Sequence, residues 1–360
     1  MTVAITHDYL TQRGGAERVV LSMLRAFPRA PLYTSLYDAE GTFPEFRGAD
    51  VHVTGLDRIT PLRRHHRLAL PLLPATFSRL RVSADVVLCS SSGWAHATRV
   101  DGKKIVYCHT PARWLYQGAH YLAERQLAAK AGLAVLRPYL LRWDRRAAAT
   151  SHRYLANSTV VRQRIRNAYG IDAEILPPPP ALGPRGPRQS IDGLEPGFFL
   201  CVSRLLPYKN VDAVVGAFSS NNAEDRLVIV GGGPEEDRLR ARAGGRVRLL
   251  GSVTDEQLRW LYGACAGVVA ASYEDYGLTP LEGAAFGKPS AVLRWGGFED
   301  TVEEDKTGVF FERPEANAIL GAVRELRARN WDSDEISAHA ERFSERAFEK
   351  RLREIVEEVG

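Results

Sequence analysis

Short apolar runs of small and β-branched residues recur along the chain, and each hands over to a loop bearing glycine or charge. They lie at residues 3–5 (VAI), 86–89 (VVLC), 105–108 (IVYC), 154–157 (YLAN), 198–202 (FFLCV), 227–230 (LVIV), 247–250 (VRLL), 266–271 (AGVVAA), 290–293 (SAVL) and 308–311 (GVFF). Most do not alternate with polar residues, which suits strands covered on both faces, and such strands belong to parallel sheets with helices on either side. The expected fold class is therefore α/β. At 360 residues, 45% of them hydrophobic, the chain is long enough for two such domains. Pro177 to Pro180 open a stretch crowded with proline and glycine as far as Gly197, which reads as a stiff connector. The expected organisation is a first domain over 1–176, a linker over 177–197, a second domain over 198–337 and a charged helical segment over 338–360. A long Ala/Leu/Arg-rich helix is expected over 121–149.

The formal charge of +5 and isoelectric point near 9.0 fit an anionic substrate or membrane surface. Without a recognisable binding module they are too weak to argue for nucleic acid. Cys89, Cys108, Cys201 and Cys265 lie in or beside apolar segments with no CxxC pair, so they read as reduced core thiols. No signal peptide precedes the first strand and no run of eighteen apolar residues is present. A cytoplasmic protein with at most peripheral membrane contact is expected.

The chemistry is densest in residues 272–289, SYEDYGLTPLEGAAFGKP. After the apolar run and the Gly277 turn, Thr279-Pro280-Leu281-Glu282 has the form of a helix start: a capping threonine, proline at the first helical position and a glutamate three residues past the cap. Strand, glycine loop and helix in this order aim backbone N–H groups and the positive end of a helix dipole at a ligand, which suits a diphosphate. Tyr276, Gly277, Leu278 and Thr279 are the candidates in that loop. Glu274 and Glu282 bracket the turn; carboxylates repel phosphate, so their natural targets are sugar or ribose hydroxyls. Glu282 could equally be the partner of Thr279 in a capping box, and Glu274 a solvated loop acid.

At the next junction of interest, Arg204 and Lys209 follow the run at 198–202, a planar fork and a point charge that suit a diphosphate unless they are a plain surface pair. In the first domain, Gly14 and Gly15 stand at the entrance of the first helix, where backbone can approach a ligand or simply turn. This is not the GxGxxG of dinucleotide oxidoreductases, which counts against a dehydrogenase. His109, with Arg113 nearby, follows the run at 105–108 directly, at the sheet edge where doubly wound folds place ligands.

Glu274 and Glu282 with seven residues between them, an aromatic-Gly-Leu inside and a helix after, resemble the E-x7-E signature of glycosyltransferase family 4. These are retaining, nucleotide-sugar-dependent enzymes with two Rossmann-like domains facing a cleft, the GT-B fold. The resemblance extends over essentially the whole chain. It implies that Arg204 and Lys209 hold the donor diphosphate, that the loop around Val253 cradles the base, and that Gly14-Gly15-Ala16-Glu17 faces donor phosphate or acceptor. Cys108-His109-Thr110-Pro111 with Arg113 resembles a segment of members that transfer mannose in bacterial polysaccharide assembly, which puts His109 beside the donor sugar. Glu274 then holds the sugar and Glu282 the ribose. The expected donor is GDP-mannose, with a UDP-hexose as the competing choice, and the acceptor a glycan or lipid-linked molecule. No metal is expected, because the single DxD match, Asp332-Ser333-Asp334, reads as a helix cap. An epimerase or a noncatalytic nucleotide-sugar binding subunit could keep the same loops.

Residues 58–81 carry Arg58, Arg63, Arg64, Arg67, Arg79 and Arg81 among leucines, with no acid. Such a stretch can lie in the headgroup region of an anionic membrane, or its leucines can join the core.

Overall fold

The computed structural model describes residues 1–116, 127–220 and 223–360. The chain divides into two compact units, Met1–Pro178 with Glu345–Gly360, and Pro179–Ser344.

The first unit contains β1 (Val3–His7), β2 (Leu32–Thr34), β3 (Val51–Val53), β4 (Arg81–Val82), β5 (Val86–Ser91), β6 (Arg99–Val100), β7 (Lys103–Cys108), β8 (Arg153–Ala156) and β9 (Glu174–Ile175). Its main sheet has the order β3-β2-β1-β5-β7-β8-β9, while β4 and β6 pair separately. Every pairing in it is parallel. All six residues of β5 are buried, which is why the sequence there shows no polar alternation. Strand order reverses between β1 and β5, so the loops leaving their carboxyl ends diverge and open a crevice. The register sets His7 opposite Ser90 across that junction.

The helix Glu345–Val359 buries Phe348, Leu352, Ile355 and Val356, a stripe at helical spacing. These side chains join the core that includes Val20 and Met23 of the helix Gly15–Ala26. At about 2 kcal/mol for each large apolar side chain buried, the stripe is a substantial part of this core. Arg351 Nη2 and Arg153 Nε both donate to Glu174, at 2.8 and 3.0 Å, and fasten the helix end beside β8 and β9. The charged segment expected as one piece over 338–360 is two helices, Ser333–Glu341 in the second unit and Glu345–Val359 in the first. Asp332 caps the former, accepting from the N–H groups of Asp334 and Glu335, as its position in the sequence suggests. Of the helix expected over 121–149, residues Leu127–Ala148 are helical, and 121–126 lie outside the described residues.

The second unit contains β10 (Phe199–Val202), β11 (Leu227–Val230), β12 (Val247–Gly251), β13 (Gly267–Ala270), β14 (Ser290–Leu293) and β15 (Gly308–Phe311). The order is β12-β11-β10-β13-β14-β15, again parallel throughout. Its reversal point lies between β10 and β13. From Pro179 the expected linker packs into this unit: Leu182 is buried in a cluster with Phe198 and Tyr262, and the Gln189 N–H donates to the Glu256 carbonyl at 3.1 Å. All four cysteines are free and buried.

The basic stretch 58–81 divides its apolar residues. Leu73 and Phe77 are buried with Leu36 and Trp94, whereas Ile59, Leu68 and Leu72 are exposed. Arg58, Arg64, Arg79 and Arg81 are exposed around them, and the Arg67 side chain lies outside the described residues. Among the described residues no helix is long and apolar enough to cross a membrane.

Candidate active site

In the second unit, the carboxyl ends of β10 and β13 gather the charged residues singled out in the sequence. β10 leads into Ser203-Arg204-Leu205-Leu206 and the short helical turn Pro207–Lys209. Asn210 then takes a left-handed backbone, φ 52°. An asparagine tolerates that conformation better than most residues. Its side-chain amide donates to the Ala271 carbonyl at 2.8 Å, tying the β10 loop to the end of β13.

Across this tie, the Lys209 ammonium bonds the Glu274 carboxylate. Ser272 Oγ donates to the same carboxylate oxygen at 3.1 Å. Lys209 is 8% exposed and Glu274 half-buried, so the two charges neutralise each other in a setting that screens them less than open water does. Arg204 is exposed, with Nη2 3.4 Å from the Tyr208 hydroxyl. The Lys209 Nζ also lies 4.9 Å from the Tyr208 ring centroid. One exposed fork, one buried ammonium and one carboxylate thus meet where a doubly wound sheet offers its crevice. Such a group can hold an anion while accepting from a neighbouring hydroxyl.

The helix after the loop starts two residues earlier than expected. It runs Leu278–Ala285 from Gly277, with no side-chain cap. Thr279 is therefore inside it, and its hydroxyl donates to the Val202 carbonyl at 3.3 Å, bolting the helix to β10. The expected capping box does not form. The Glu282 carboxylate accepts instead from the Tyr262 hydroxyl at 2.7 Å and the Ala181 N–H at 3.2 Å. Burial, then the neighbouring carboxylate, holds the Tyr262 phenol well above its ordinary pKa, so it stays a donor. Gly277 has a packing reason. A Cβ there would lie 2.4 Å from Thr301 Oγ1 and 2.8 Å from Phe298 Cδ1. Its loop is pinned again where the Gly297 N–H donates to the Glu274 carbonyl at 2.9 Å. Tyr276 lies in this pinned segment, with its phenol pushed up by burial and by Asp300. Val253 follows β12, at the sheet edge, and packs against the cluster of Leu261 and Tyr262.

In the first unit, His109 follows β7 and Gly14-Gly15 opens the first helix. His109 Nε2 lies 2.8 Å from Ser90 Oγ, and its carbonyl accepts from Asn157 Nδ2 at 3.1 Å. Burial, reinforced by the charge of His7, lowers its pKa to about 3, so the ring is neutral. Asp8, beside the same crevice, accepts from the N–H groups of Ser92, Trp94 and Ala95 at 2.6, 3.2 and 2.6 Å and fixes the loop leaving β5. Gly14 and Gly15 differ. A Cβ on Gly14 would fall 2.5 Å from Glu17 Oε2, whereas one on Gly15 would meet nothing within 4 Å. The first glycine leaves room for a carboxylate of its own chain. Sequence reasoning named Glu17 only as part of the Gly14-Gly15-Ala16-Glu17 loop and missed His7, Ser90 and Asn210 as site residues. The usable signal was position, since His7, Ser90 and Asn210 all lie at strand ends or the turns leaving them.

Residues 13–179 match the family model described as Glycosyltransferase Family 4, and residues 188–350 match Glycosyl transferases group 1. The chain belongs to glycosyltransferase family 4. It is 32% identical over 161 residues to O-antigen chain mannosyltransferase C of Escherichia coli, covering 42% of each chain. It is 31% identical over 174 residues to the GDP-mannose-dependent alpha-(1-6)-phosphatidylinositol monomannoside mannosyltransferase of Mycobacterium tuberculosis, covering 44% of this chain and 45% of that protein. The matches thus span under half the length of these curated relatives. Among solved structures, Anabaena Alr3699/HepE in complex with UDP and glucose superposes over 99% of this chain and 100% of its own, with a TM-score of 0.70 at 17% identity. The family 4 chain thus has the GT-B fold expected from its E-x7-E element.

Proposed function

We propose that this family 4 protein transfers a hexose from a nucleoside diphosphate sugar to a hydroxyl acceptor with retention of configuration. The observation that carries the reading is the Lys209–Glu274 ion pair at the reversal point of the second sheet, with Arg204 linked to it through Tyr208. Arg204 and Lys209 take the diphosphate, and Glu274 accepts from hydroxyls of the sugar. Glu282 is assigned to the ribose, the loop at Val253 to the base, and Tyr276 to Thr279 to the diphosphate end of the donor. Negative charge grows on the diphosphate as the sugar–phosphate bond breaks. Lys209, Arg204 and the amides of Gly277 and Leu278 stabilise it, and because they are already oriented they cost little reorganisation at that moment. The acceptor hydroxyl attacks from the face the leaving group vacates, and its proton passes to the departing diphosphate. No divalent ion is assigned, and full activity in EDTA is the expected result.

On the first unit, His109 is assigned to the donor sugar, and the loop at Gly14 and Gly15 to the donor phosphate or the acceptor. GDP-mannose is the favoured donor, supported by the Cys108–Arg113 segment and by the mannosyltransferase names of the relatives. A UDP-hexose is the competing choice. The acceptor is a glycan or a lipid-linked molecule, met by a cytoplasmic protein that touches anionic membrane through residues 58–81. Exposed Ile59, Leu68 and Leu72 among exposed arginines support that contact. Calorimetric titration with GDP and UDP, followed by product analysis with GDP-mannose and lipid-linked acceptors, tests the reading. Conversion of the donor without an acceptor points to an epimerase, and binding without turnover or donor hydrolysis to a noncatalytic subunit.

A further inference from the structure

The crevice of the first sheet holds a chain of four side chains running from the first helix to His109. Glu17 Oε1 lies 3.8 Å from His7 Nε2, and both side chains are at most 2% exposed. The other nitrogen of His7, Nδ1, faces Ser90 Oγ at 3.0 Å and the Ser90 carbonyl at 3.3 Å. The same Ser90 Oγ meets His109 Nε2 at 2.8 Å.

A serine hydroxyl has one proton to give, and here two imidazole nitrogens approach it. At most one of them can accept that proton, and because Ser90 Oγ has no other hydrogen-bond partner among the described residues, one accepts it and the other donates. Were His7 neutral with its proton on Nε2, toward Glu17, its Nδ1 would take the serine proton and His109 would carry its own proton on Nε2. Were His7 doubly protonated, its Nδ1–H would donate to Ser90, the serine proton would go to His109, and His109 would carry its proton on Nδ1. The surroundings of His7 decide between these. Nε2 faces a carboxylate, and Nδ1 faces a carbonyl that can only accept, so both nitrogens look at acceptors.

We infer that Glu17 and His7 form a buried charge pair that acts through the Ser90 hydroxyl to fix His109 as the neutral Nδ1–H tautomer. Glu17, His7 and Ser90 are thereby positioning residues, and His109 meets substrate as a hydrogen-bond donor through Nδ1. The last step rests on the proposed contact of His109 with the donor sugar. The charges agree with the geometry. Burial opposes protonation of His7, but the hydrogen-bonding and charge of Glu17, with Asp8 and the Ser90 carbonyl, outweigh it and raise its pKa. Burial alone would raise Glu17, but His7 and Gln12 hold it below the ordinary range. The motif Gly14-Gly15-Ala16-Glu17 gains a purpose in this arrangement. Gly14 lacks a side chain where the Glu17 carboxylate lies, and Gln12 Nε2 donates to that carboxylate at 3.1 Å.

The test is nitrogen-15 NMR of histidine-labelled full-length protein at pH 6.5, in which each ring nitrogen reports whether it carries a proton. The expected result is His109 protonated on Nδ1 only and His7 on both nitrogens. In Glu17→Gln, His7 loses its second proton and His109 changes tautomer. In Ser90→Ala, His109 becomes a mixture of tautomers, and Ser90→Thr restores the wild-type pattern. His109 protonated on Nε2 in the wild type, or unmoved in both Glu17→Gln and Ser90→Ala, overturns the inference. The wild-type and Ser90→Ala spectra decide it even if Glu17→Gln fails to fold. Turnover is measured on the same samples, and Glu17→Gln is expected to lower kcat at least tenfold with a smaller change in KM. If the tautomer is as inferred but His109→Ala keeps full turnover, the relay stands and the assigned sugar contact falls.

Discussion

Replacing Glu274 by glutamine changes one charge at the β10 and β13 junction while keeping the size of the side chain. In the free protein this carboxylate binds the Lys209 ammonium and accepts from Ser272. A nucleoside diphosphate arriving there must draw the ammonium toward its own oxygens and at the same time meet the repulsion of the carboxylate. At a separation of about 6 Å and an effective dielectric of about 40, that repulsion is roughly 1.4 kcal/mol per unit charge. Glutamine removes it and releases Lys209, so GDP should bind Glu274→Gln about tenfold tighter than wild type. The sugar nucleotide should not share this gain. It loses a charged acceptor for a sugar hydroxyl, an interaction of about 1.5–3 kcal/mol. Its affinity should stay level or fall, and turnover should drop by about ten- to a hundredfold. Calorimetry with GDP and GDP-mannose side by side reads both effects, with UDP and a UDP-hexose as the parallel pair. Weaker GDP binding by Glu274→Gln would refute the competition for Lys209. An equal change for GDP and the sugar nucleotide would refute the contact between the carboxylate and the sugar.

Gly14→Ala places a methyl carbon 2.5 Å from Glu17 Oε2 and should lower stability by about 1–3 kcal/mol, while Gly15→Ala, with nothing within 4 Å, should be neutral or stabilising; thermal unfolding distinguishes them. Tyr262→Phe takes a buried donor from Glu282 and should cost about 1.5–3 kcal/mol in denaturant unfolding, with no change if that hydrogen bond is idle. The pair of His7 and Glu17 gives a signed pH dependence. The contribution of His7, whose pKa is raised, is complete below about 6.5 and lost as pH rises through its folded value, and that of Glu17, whose pKa is lowered, is present above about 4.5 and lost as pH falls. With Asp8, Glu17 and His109 the titratable groups facing His7, wild type should exceed His7→Gln in stability by more at pH 6 than at pH 9, and a difference independent of pH would contradict a charged His7. Replacing Arg58, Arg64, Arg79 and Arg81 by glutamine should abolish flotation with vesicles of anionic lipid, and equal flotation would remove the membrane contact through this stretch.

The buried strands of both sheets were legible because strands covered on both faces have little polar alternation to confuse them with other elements, whereas β2, β3 and β9, only two or three residues long, carry too little sequence to show. The loop assignments were legible for the same reason, since the ends of such strands are easy to find. What the sequence concealed lies one step further, in which partner each loop residue chooses. Thr279-Pro280-Leu281-Glu282 satisfies every local rule for a capped helix start, yet Thr279 bonds Val202 and Glu282 bonds Tyr262, residues 77 and 20 positions away. Tertiary partners outcompeted a local motif. Gly14 and Gly277 were read as places of close approach to a ligand, and a Cβ on them would meet protein, Glu17 at the first and Thr301 with Phe298 at the second. A glycine marks close approach without saying what approaches. The proline-rich stretch read as a stiff connector over 177–197 packs into the second unit from Pro179 on, because Leu182, Ile191 and Leu194 supply apolar contacts that the proline count hid.

The two units solve the same physical problem at the same topological position. At each reversal point a side chain from one strand end is oriented against one from its neighbour, because the loops leaving the two strands diverge there and, among the described residues, no backbone hydrogen bond bridges them beyond the strand ends. The second unit uses the charge pair Lys209 and Glu274, backed by the Asn210 bond to Ala271. The first uses His7 and Ser90, set opposite each other by the register of β1 and β5 and backed by Glu17. In both, the group assigned to substrate is already engaged with a protein partner in the free chain. In the second unit binding therefore exchanges partners of Lys209 and Glu274 and does not desolvate bare charges, while in the first His109 keeps Ser90 on one nitrogen and offers the other, which keeps the cost of burial low for both ligand and protein. It follows that substitutions of the backing residues should perturb the orientation of the substrate-facing group without abolishing binding. Asn210→Ala should therefore lower turnover more than it weakens GDP affinity, and the reverse order would mean that Asn210 holds the nucleotide itself.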